Sequence, residues 1–286
     1  MRKKPMLAYP VSNKPIDYNE PVFMQPKLDG VRCVIQYERR VQPREDVVVA
    51  YSRTGKVWQN IHHVLEQLKP FFQKYPNVIL DGELYNHDLR DDFETIISLV
   101  RRQTPDDIDM LESRDLVQFH CYDIIHPDNS PFEDRNRFVK HCVDQSSPYV
   151  HIVNTILCAS DEDAKEIHAV NLECGFEGSI LRTNDMYHQK RTHSLRKFKD
   201  FHDTEATITA WVEGKGKRVG TIGKFMAVDD DGNEFGMPVM DNFKYLQDNF
   251  KAMQGYVGKT ATFTYFERTK AGSYRHPLFK CIRNYE

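Results

Sequence analysis

Hydrophobic positions along the chain follow two rhythms in turn, and the change of rhythm divides it. From about Val22 to Lys199, strand and helix signals alternate. Val31–Tyr37 and Val47–Tyr51 are rich in β-branched and aromatic residues, as strands are. Ile61, Val64, Leu65, Leu68 and Phe72 fall on one face of a helix predicted over Asn60–Tyr75. Val78–Tyr85 reads as a buried strand interrupted by Asp81, Gly82 and Glu83. Asp91–Arg102 reads as a helix whose opening acids and closing arginines complement its dipole. A strand over Leu116–Ile125 follows. Ser160 with Asp163 marks a helix start, Gly175 its stop, and Glu177–Arg182 the next strand.

Beyond about Thr204 the signals become short strands, at Ala206–Val212, Ile222–Val228, Glu234–Met237 and Thr260–Phe266, with one helix over Asp241–Met253. That pattern suits a small barrel of the OB type. The expectation is an α+β protein of two domains, residues 1–201 and 202–286.

Composition narrows the class. Hydrophobic residues make up 40% and charged residues 28%, which excludes a disordered or fibrous chain. The six cysteines form no CxxC pair and no zinc-spaced cluster, so they read as reduced thiols. Arg2, Lys3 and Lys4 are not followed by an apolar leader segment, and no run reaches membrane-spanning length. An intracellular, cytoplasmic protein is expected. The formal net charge of −3 argues that any nucleic-acid contact comes from local basic patches. The best of these is Lys215, Lys217, Arg218 and Lys224, interleaved with Gly214, Gly216, Gly220 and Gly223. Flexible backbone with cationic tips suits phosphate, and a plain solvated hairpin is the alternative.

The sharpest local feature is Lys27-Leu28-Asp29-Gly30-Val31-Arg32, between a short strand ending near Gln25 and the strong strand that follows. A lysine there is a candidate nucleophile. Attack on a phosphate needs the neutral amine, and bringing a lysine from a pKa of about 10.4 to near 7.5 costs roughly 4 kcal/mol unless cations or a metal assist. Taken alone, the hexapeptide reads equally as a polar turn between strands.

The order of later segments changes that balance. Ser52-Arg53-Thr54-Gly55, Asp81-Gly82-Glu83, the aromatic-Asp strand Phe119–Asp123, Glu177–Arg182 and Lys197-Phe198-Lys199 follow in sequence. In this the chain resembles the covalent nucleotidyltransferases, specifically the ATP-dependent DNA ligases, whose first motif is Lys-x-Asp-Gly-x-Arg. It is most similar to the small viral and phage type, including its opening Lys4–Ala8 and the stretch Gly258–Arg283.

The resemblance implies an adenylation domain with mixed and antiparallel sheets, followed by an OB-fold domain. It implies that Lys27 carries AMP taken from ATP, while Arg32 and Arg53 contact nucleotide or nick phosphate. Glu83 would hold the ribose, Tyr122 the adenine, and Gln25, Arg182, Lys197 and Lys199 complete the nucleotide site. Mg²⁺ (or Mn²⁺) would sit on Glu177, with Asp29 and Glu83 nearby. The partner implied is nicked duplex DNA, bound by a monomer through Arg32, Arg53 and the Lys215–Lys224 hairpin. A hinge near Asp200–Asp203 would let the second domain move.

Other readings stay open. An RNA ligase or capping guanylyltransferase shares lysine nucleotidylation, and a non-catalytic nucleic-acid-binding module shares the folds. Arg32 favours the DNA type, and the intact set Lys27, Glu83, Glu177, Lys197 and Lys199 favours catalysis. A ligase using NAD would carry a four-cysteine zinc element, which is missing. No separate N-terminal DNA-binding domain is expected, residues 214–224 are too few for a long clamp, and Arg275, Lys280 and Arg283 match the usual last motif poorly. His62-His63, Trp58 and Trp211 read as packing or surface residues, and Asp229–Asn233 as an acidic turn.

Overall fold

The computed structural model describes residues 3–41, 44–90, 92–144, 146–198, 202–269 and 272–283. It divides into two compact units, Met1–Phe198 and Lys199–Glu286. Of the expected hinge, Asp200 and Phe201 lie outside the described residues.

In the first unit β1 (Leu7–Pro10), β2 (Val22–Lys27), β3 (Val31–Val41) and β4 (Arg44–Tyr51) precede α1 (His62–Lys74) and β5 (Ile79–Tyr85). Then come α2 (Phe93–Val100), α3 (Asp107–Leu116), β6 (Gln118–Ile125), α4 (Phe132–Cys142), β7 (Val150–Ile152) and β8 (Ile156–Cys158). α5 (Asp161–Glu173), β9 (Gly178–Thr183) and β10 (Arg191–Phe198) close the unit. Two five-stranded sheets form, in the orders β1-β10-β9-β2-β8 and β4-β3-β5-β6-β7. The β1–β10 and β6–β7 ladders are parallel and the others antiparallel.

α1 forms where its apolar stripe predicts, burying Val64, Leu68 and Phe72 in one cluster with Ile35, Leu80 and Phe119. α5 starts where Ser160 Oγ accepts the Asp163 N–H at 3.1 Å, and it ends at Gly175, whose φ of +82° suits glycine. Two helices escaped the hydrophobic pattern for a physical reason. α3 buries Asp109 and Ser113, and α4 buries Arg135 and Asn136 beside Phe132 and Val139. The buried positions of α3 are polar, and α4 mixes Arg135 and Asn136 with apolar residues, so neither helix carries an unbroken apolar stripe. α3 is nucleated instead by a capping box between Asp106 and Asp109.

The second unit comprises β11 (His202–Glu213), β12 (Ile222–Val228), β13 (Glu234–Pro238), α6 (Phe243–Asp248), α7 (Phe250–Gln254) and β14 (Thr260–Tyr265). β15 (Glu267–Arg268), β16 (Tyr274–Arg275) and β17 (Leu278–Ile282) follow. Ile208, Phe225, Leu246, Met253 and Phe263 form its core. The single helix expected over Asp241–Met253 is two short helices meeting at Asn249. The main sheet runs β13-β12-β11-β14-β17, and among the described residues no ladder joins its two edges, so the expected barrel is an open, OB-like sheet.

The glycine-rich hairpin between β11 and β12 is held by internal hydrogen bonds. The Gly214 N–H donates to Thr221 O at 2.9 Å, Thr221 Oγ1 to Arg218 O at 2.7 Å, and the Gly220 N–H to Glu213 at 2.8 Å. Arg218 itself donates to Val239 O at 2.6 Å, so its guanidinium is tied to the fold. Lys215 and Lys217 are exposed and Lys224 half-buried.

Candidate active site

Lys27 is the last residue of β2, and its register partner on β9 is Gly178. That ladder puts the Glu177 N–H 3.1 Å from Lys27 O and joins Lys27 Nζ to the Glu177 carboxylate in an ion pair. The Glu177 side chain is 4% exposed and the Lys27 side chain 21%, so the amine is the accessible partner. Gly178 has φ +147°, and a Cβ there would collide with the Phe198 carbonyl oxygen. Gly30 lets the turn lie flat on β5, where a Cβ would come within 2.6 Å of Glu83 Cγ.

β3 and β5 place Arg32 opposite Glu83, with Asp81 two residues away on the same face. Arg32 grips Asp81 with two bonds, of 2.6 and 2.5 Å, and donates to Met6 O at 3.1 Å. Tyr187 donates to the same Asp81 carboxylate at 2.5 Å and accepts the Met6 N–H at 2.9 Å. β1 is thereby pinned to the motif strands. Burial opposes the charge on Arg32, yet Asp81 outweighs it and holds the guanidinium well above its ordinary pKa.

Glu83 accepts from Tyr122 at 3.2 Å. Burial pushes its carboxyl up to about 7 despite the nearby positive charges of Arg32 and Lys27. Because the folded pKa is the higher one, the carboxyl favours the folded state below its ordinary value of 4.5, and that contribution is lost as pH rises to about 7. Glu83→Gln is therefore expected to gain thermal stability relative to wild type, by a few degrees, as pH rises through that window. Parallel melting-temperature profiles for the two proteins would refute the assignment.

A second buried network braces the cavity from behind. Asp123 accepts two bonds from Arg135, at 2.8 and 3.1 Å, and one from Arg182 at 2.6 Å. Arg182 also donates to Gln25 at 2.7 Å, and the Gln25 amide donates to Tyr122 O and Thr155, both at 3.0 Å. Gln25 and Arg182, expected to bind nucleotide, are 1% and 3% exposed with their polar groups committed to neighbours. Both border the cavity. The Tyr122 ring likewise has Arg32 and Arg182 within 5.0 and 5.5 Å of its centre.

The cavity in front of Lys27 has a volume of about 280 Å³ and takes Lys27, Arg32, Arg53, Glu83, Tyr122 and Lys197 into its walls. Lys199 lies outside the described residues, and Asp29 does not line the cavity. Sequence reasoning missed Leu7, Ala8, Ile180, Leu195 and Arg191, which supply apolar wall and one more cation. Four of these five lie on β1 and β10, whose pairing no local pattern announces. Cations beside an apolar wall suit a nucleotide triphosphate. Among the described residues no three His, Cys, Asp or Glu side chains group to hold a metal. A Mg²⁺ here would rest on one or two carboxylates plus phosphate oxygens, a set that this cation accepts.

The remaining candidates fall elsewhere. Trp58 is buried, donating to Arg32 O at 3.2 Å, and Trp211 packs edge-on against Phe250. Asp229 closes its turn by accepting the N–H groups of Asp231 and Asn233. Lys280 pairs with Asp203 and Arg283 with Glu205.

Comparison with known proteins places this geometry. The model of the ATP dependent DNA ligase domain matches residues 5–199, and that of the DNA ligase OB-like domain residues 213–283. A DNA ligase of Halobacterium salinarum is 27% identical over 223 residues, covering 71% of this chain and 37% of the relative. A DNA ligase of African swine fever virus is 26% identical over 211 residues, covering 70% of this chain and 47% of the relative. The chain thus spans less than half the length of either relative. Among solved structures, a Lig E DNA ligase described as binding DNA with a minimal scaffold superposes with a TM-score of 0.76 at 23% identity, covering 99% of this chain and 100% of that one. The bacteriophage T7 ATP-dependent DNA ligase in complex with ATP gives 0.52 at 17%, over 98% of both chains. These likenesses establish the shared fold.

Proposed function

The chain belongs to the ATP-dependent DNA ligase family, and from that membership we propose that it seals nicks in duplex DNA through an AMP carried on Lys27. The observation that carries the reading is the accessible Lys27 amine, ion-paired with Glu177 at the mouth of a cavity that also presents Arg53 and Lys197. Family membership goes against the RNA-ligase and capping alternatives.

The chemistry follows in three balanced steps. The neutral Lys27 amine attacks the α-phosphorus of ATP; the N–P bond forms, the bond to the β-phosphate oxygen breaks, and pyrophosphate leaves. An oxygen of the 5′-phosphate at the nick then attacks the AMP phosphorus and returns the Lys27 amine. Finally the 3′-hydroxyl attacks the 5′-phosphate phosphorus, releasing AMP as the backbone closes.

Residues of this chain contribute mostly by position and charge. Arg53 and Lys197 neutralise phosphate oxygens. Glu83, with its raised pKa, bonds ribose hydroxyls, and Leu7, Ala8 and Leu195 flank the base. Mg²⁺ on Glu177 would neutralise charge on the phosphates as the bonds exchange. Lys215 and Lys217 contact the duplex backbone. All six cysteines are free, and no helix among the described residues is long and apolar enough to cross a membrane.

The test is label transfer. Wild type incubated with α-labelled ATP and Mg²⁺ should retain label on a denaturing gel, before or after pyrophosphate stripping, and discharge it onto nicked DNA with sealing. Discharge onto nicked RNA alone would keep the nucleophile and remove the DNA assignment.

A further inference from the structure

The face of β9 turned toward α5 is apolar where Leu181 packs with Val22, Met24 and Ala164. At the end nearest Lys27 its character changes. Ser179, 0% exposed, meets two buried polar residues of α5, His168 and Asn171, each 8% exposed. Asn171 Nδ2 donates to Ser179 Oγ at 2.8 Å, and His168 Nδ1 is hydrogen-bonded to the same oxygen at 3.0 Å. The Asn171 backbone carbonyl accepts the Phe176 N–H at 3.0 Å. Asn171 therefore holds the chain on both sides of Glu177 and Gly178, through Phe176 before them and Ser179 after them.

Ser179 also sits where three strands meet. Its register partners are Pro26 on β2 and Phe198 on β10, each next to a lysine of the cavity wall, Lys27 and Lys197. The Phe198 ring lies with its centre 5.4 Å from that of His168. None of Ser179, His168 and Asn171 lines the nucleotide cavity. Buried hydrogen bonds add little net stability over apolar groups of the same shape. What they add is direction, because they fix both the separation and the angle of the groups they join.

We propose that Asn171, Ser179 and His168 are positioning residues for AMP transfer to Lys27, holding the Glu177 carboxylate in register with the Lys27 amine from behind the sheet. This rests on Lys27 being the AMP carrier. The effect is selective. A slip of residues 176–179 carries Glu177 off the amine with which it is paired, whereas Glu83 and Tyr122 of the cavity wall belong to the other sheet and keep their places. The rate of transfer should therefore suffer, and the grip on ATP should not.

The experiment compares Ser179→Thr with Ser179→Val, two side chains of one shape of which only the first carries a hydroxyl. Both suit a strand. With α-labelled ATP at saturation, Ser179→Thr should take label within about three-fold of the wild-type rate and Ser179→Val about ten-fold more slowly or worse. The ATP concentration giving half the maximal rate should differ between them by less than about three-fold. Asn171→Leu removes the donor from the helix side and should show the same loss, which provides the comparison if Ser179→Val does not fold. In a Glu177→Gln background, followed over long incubations, the Thr and Val variants should label at equal rates, because the carboxylate through which the hydroxyl acts is gone. Equal labelling beside intact Glu177, or a Val deficit that persists unchanged in Glu177→Gln, would overturn the proposal and leave Lys27 as the carrier. Wild type that takes no label, even after pyrophosphate stripping, would remove the carrier and the proposal with it.

Discussion

Lys27→Ala is expected to lose ATP-dependent nick sealing by about 10⁴-fold or more, yet to close a nick whose 5′-phosphate already carries AMP at a rate within roughly ten-fold of wild type. The asymmetry follows from the geometry. In the proposed cycle the amine, on the cavity wall, takes AMP from ATP and passes it on, but in the last step the nucleophile is the 3′-hydroxyl. Lys27→Ala leaves the Arg32–Asp81 and Arg182–Asp123 pairs whole. Single-turnover sealing of adenylated and plain nicked duplexes, side by side, measures both halves. If the variant fails on both, Lys27 is needed for the site's architecture or for DNA binding. If it seals plain nicks, another nucleophile carries AMP.

The largest stability effect should come from Asp123, 1% exposed between Arg135 and Arg182. Asp123→Ala strands two guanidinium groups in the interior, and breaking a buried pair from one side typically costs about 3–5 kcal/mol. In a protein of this size that corresponds to a melting point lower by about 10 °C or more. Combining Asp123→Asn with Arg135→Met removes charge from both sides, so the double variant should lose less than the sum of the single ones. Calorimetry of the four proteins gives the coupling directly. Additive losses would mean that the two residues do not act as a pair.

What the sequence showed of the site was its local grammar. Lys27, Glu83, Glu177 and Lys197 each sit in a short segment of distinctive order, and the β2–β9 ladder brings Lys27 and Glu177 together across 150 positions. The supporting shell was hidden. Arg135 lies on a helix whose buried face mixes polar and apolar residues, and although Asp123 ends a motif strand, nothing in either segment marks the two as partners. Gln25 and Arg182 match the nucleotide motifs in position, but their bonds to Tyr122, Thr155, Asp123 and each other are visible only in three-dimensional pairing. In the β11–β12 hairpin the sequence does not show that Gly214 packs directly on Arg218 while Gly216 and Gly220 stand in open space. Strand rhythm located the second unit's sheet, but closure depends on how its edges meet, which hydrophobic alternation does not encode.

The pinning of β1 bears on how the chain matures during synthesis. Leu7 and Ala8 wall the nucleotide cavity, and their strand pairs with β10, with Ala8 and Arg191 separated by 183 positions. A ribosome adding about 5–20 residues per second makes the second of those strands roughly 10–40 seconds after the first. Until then β1 lacks the strand it pairs with, and the cavity wall is completed only when the last strand of the first unit has been made.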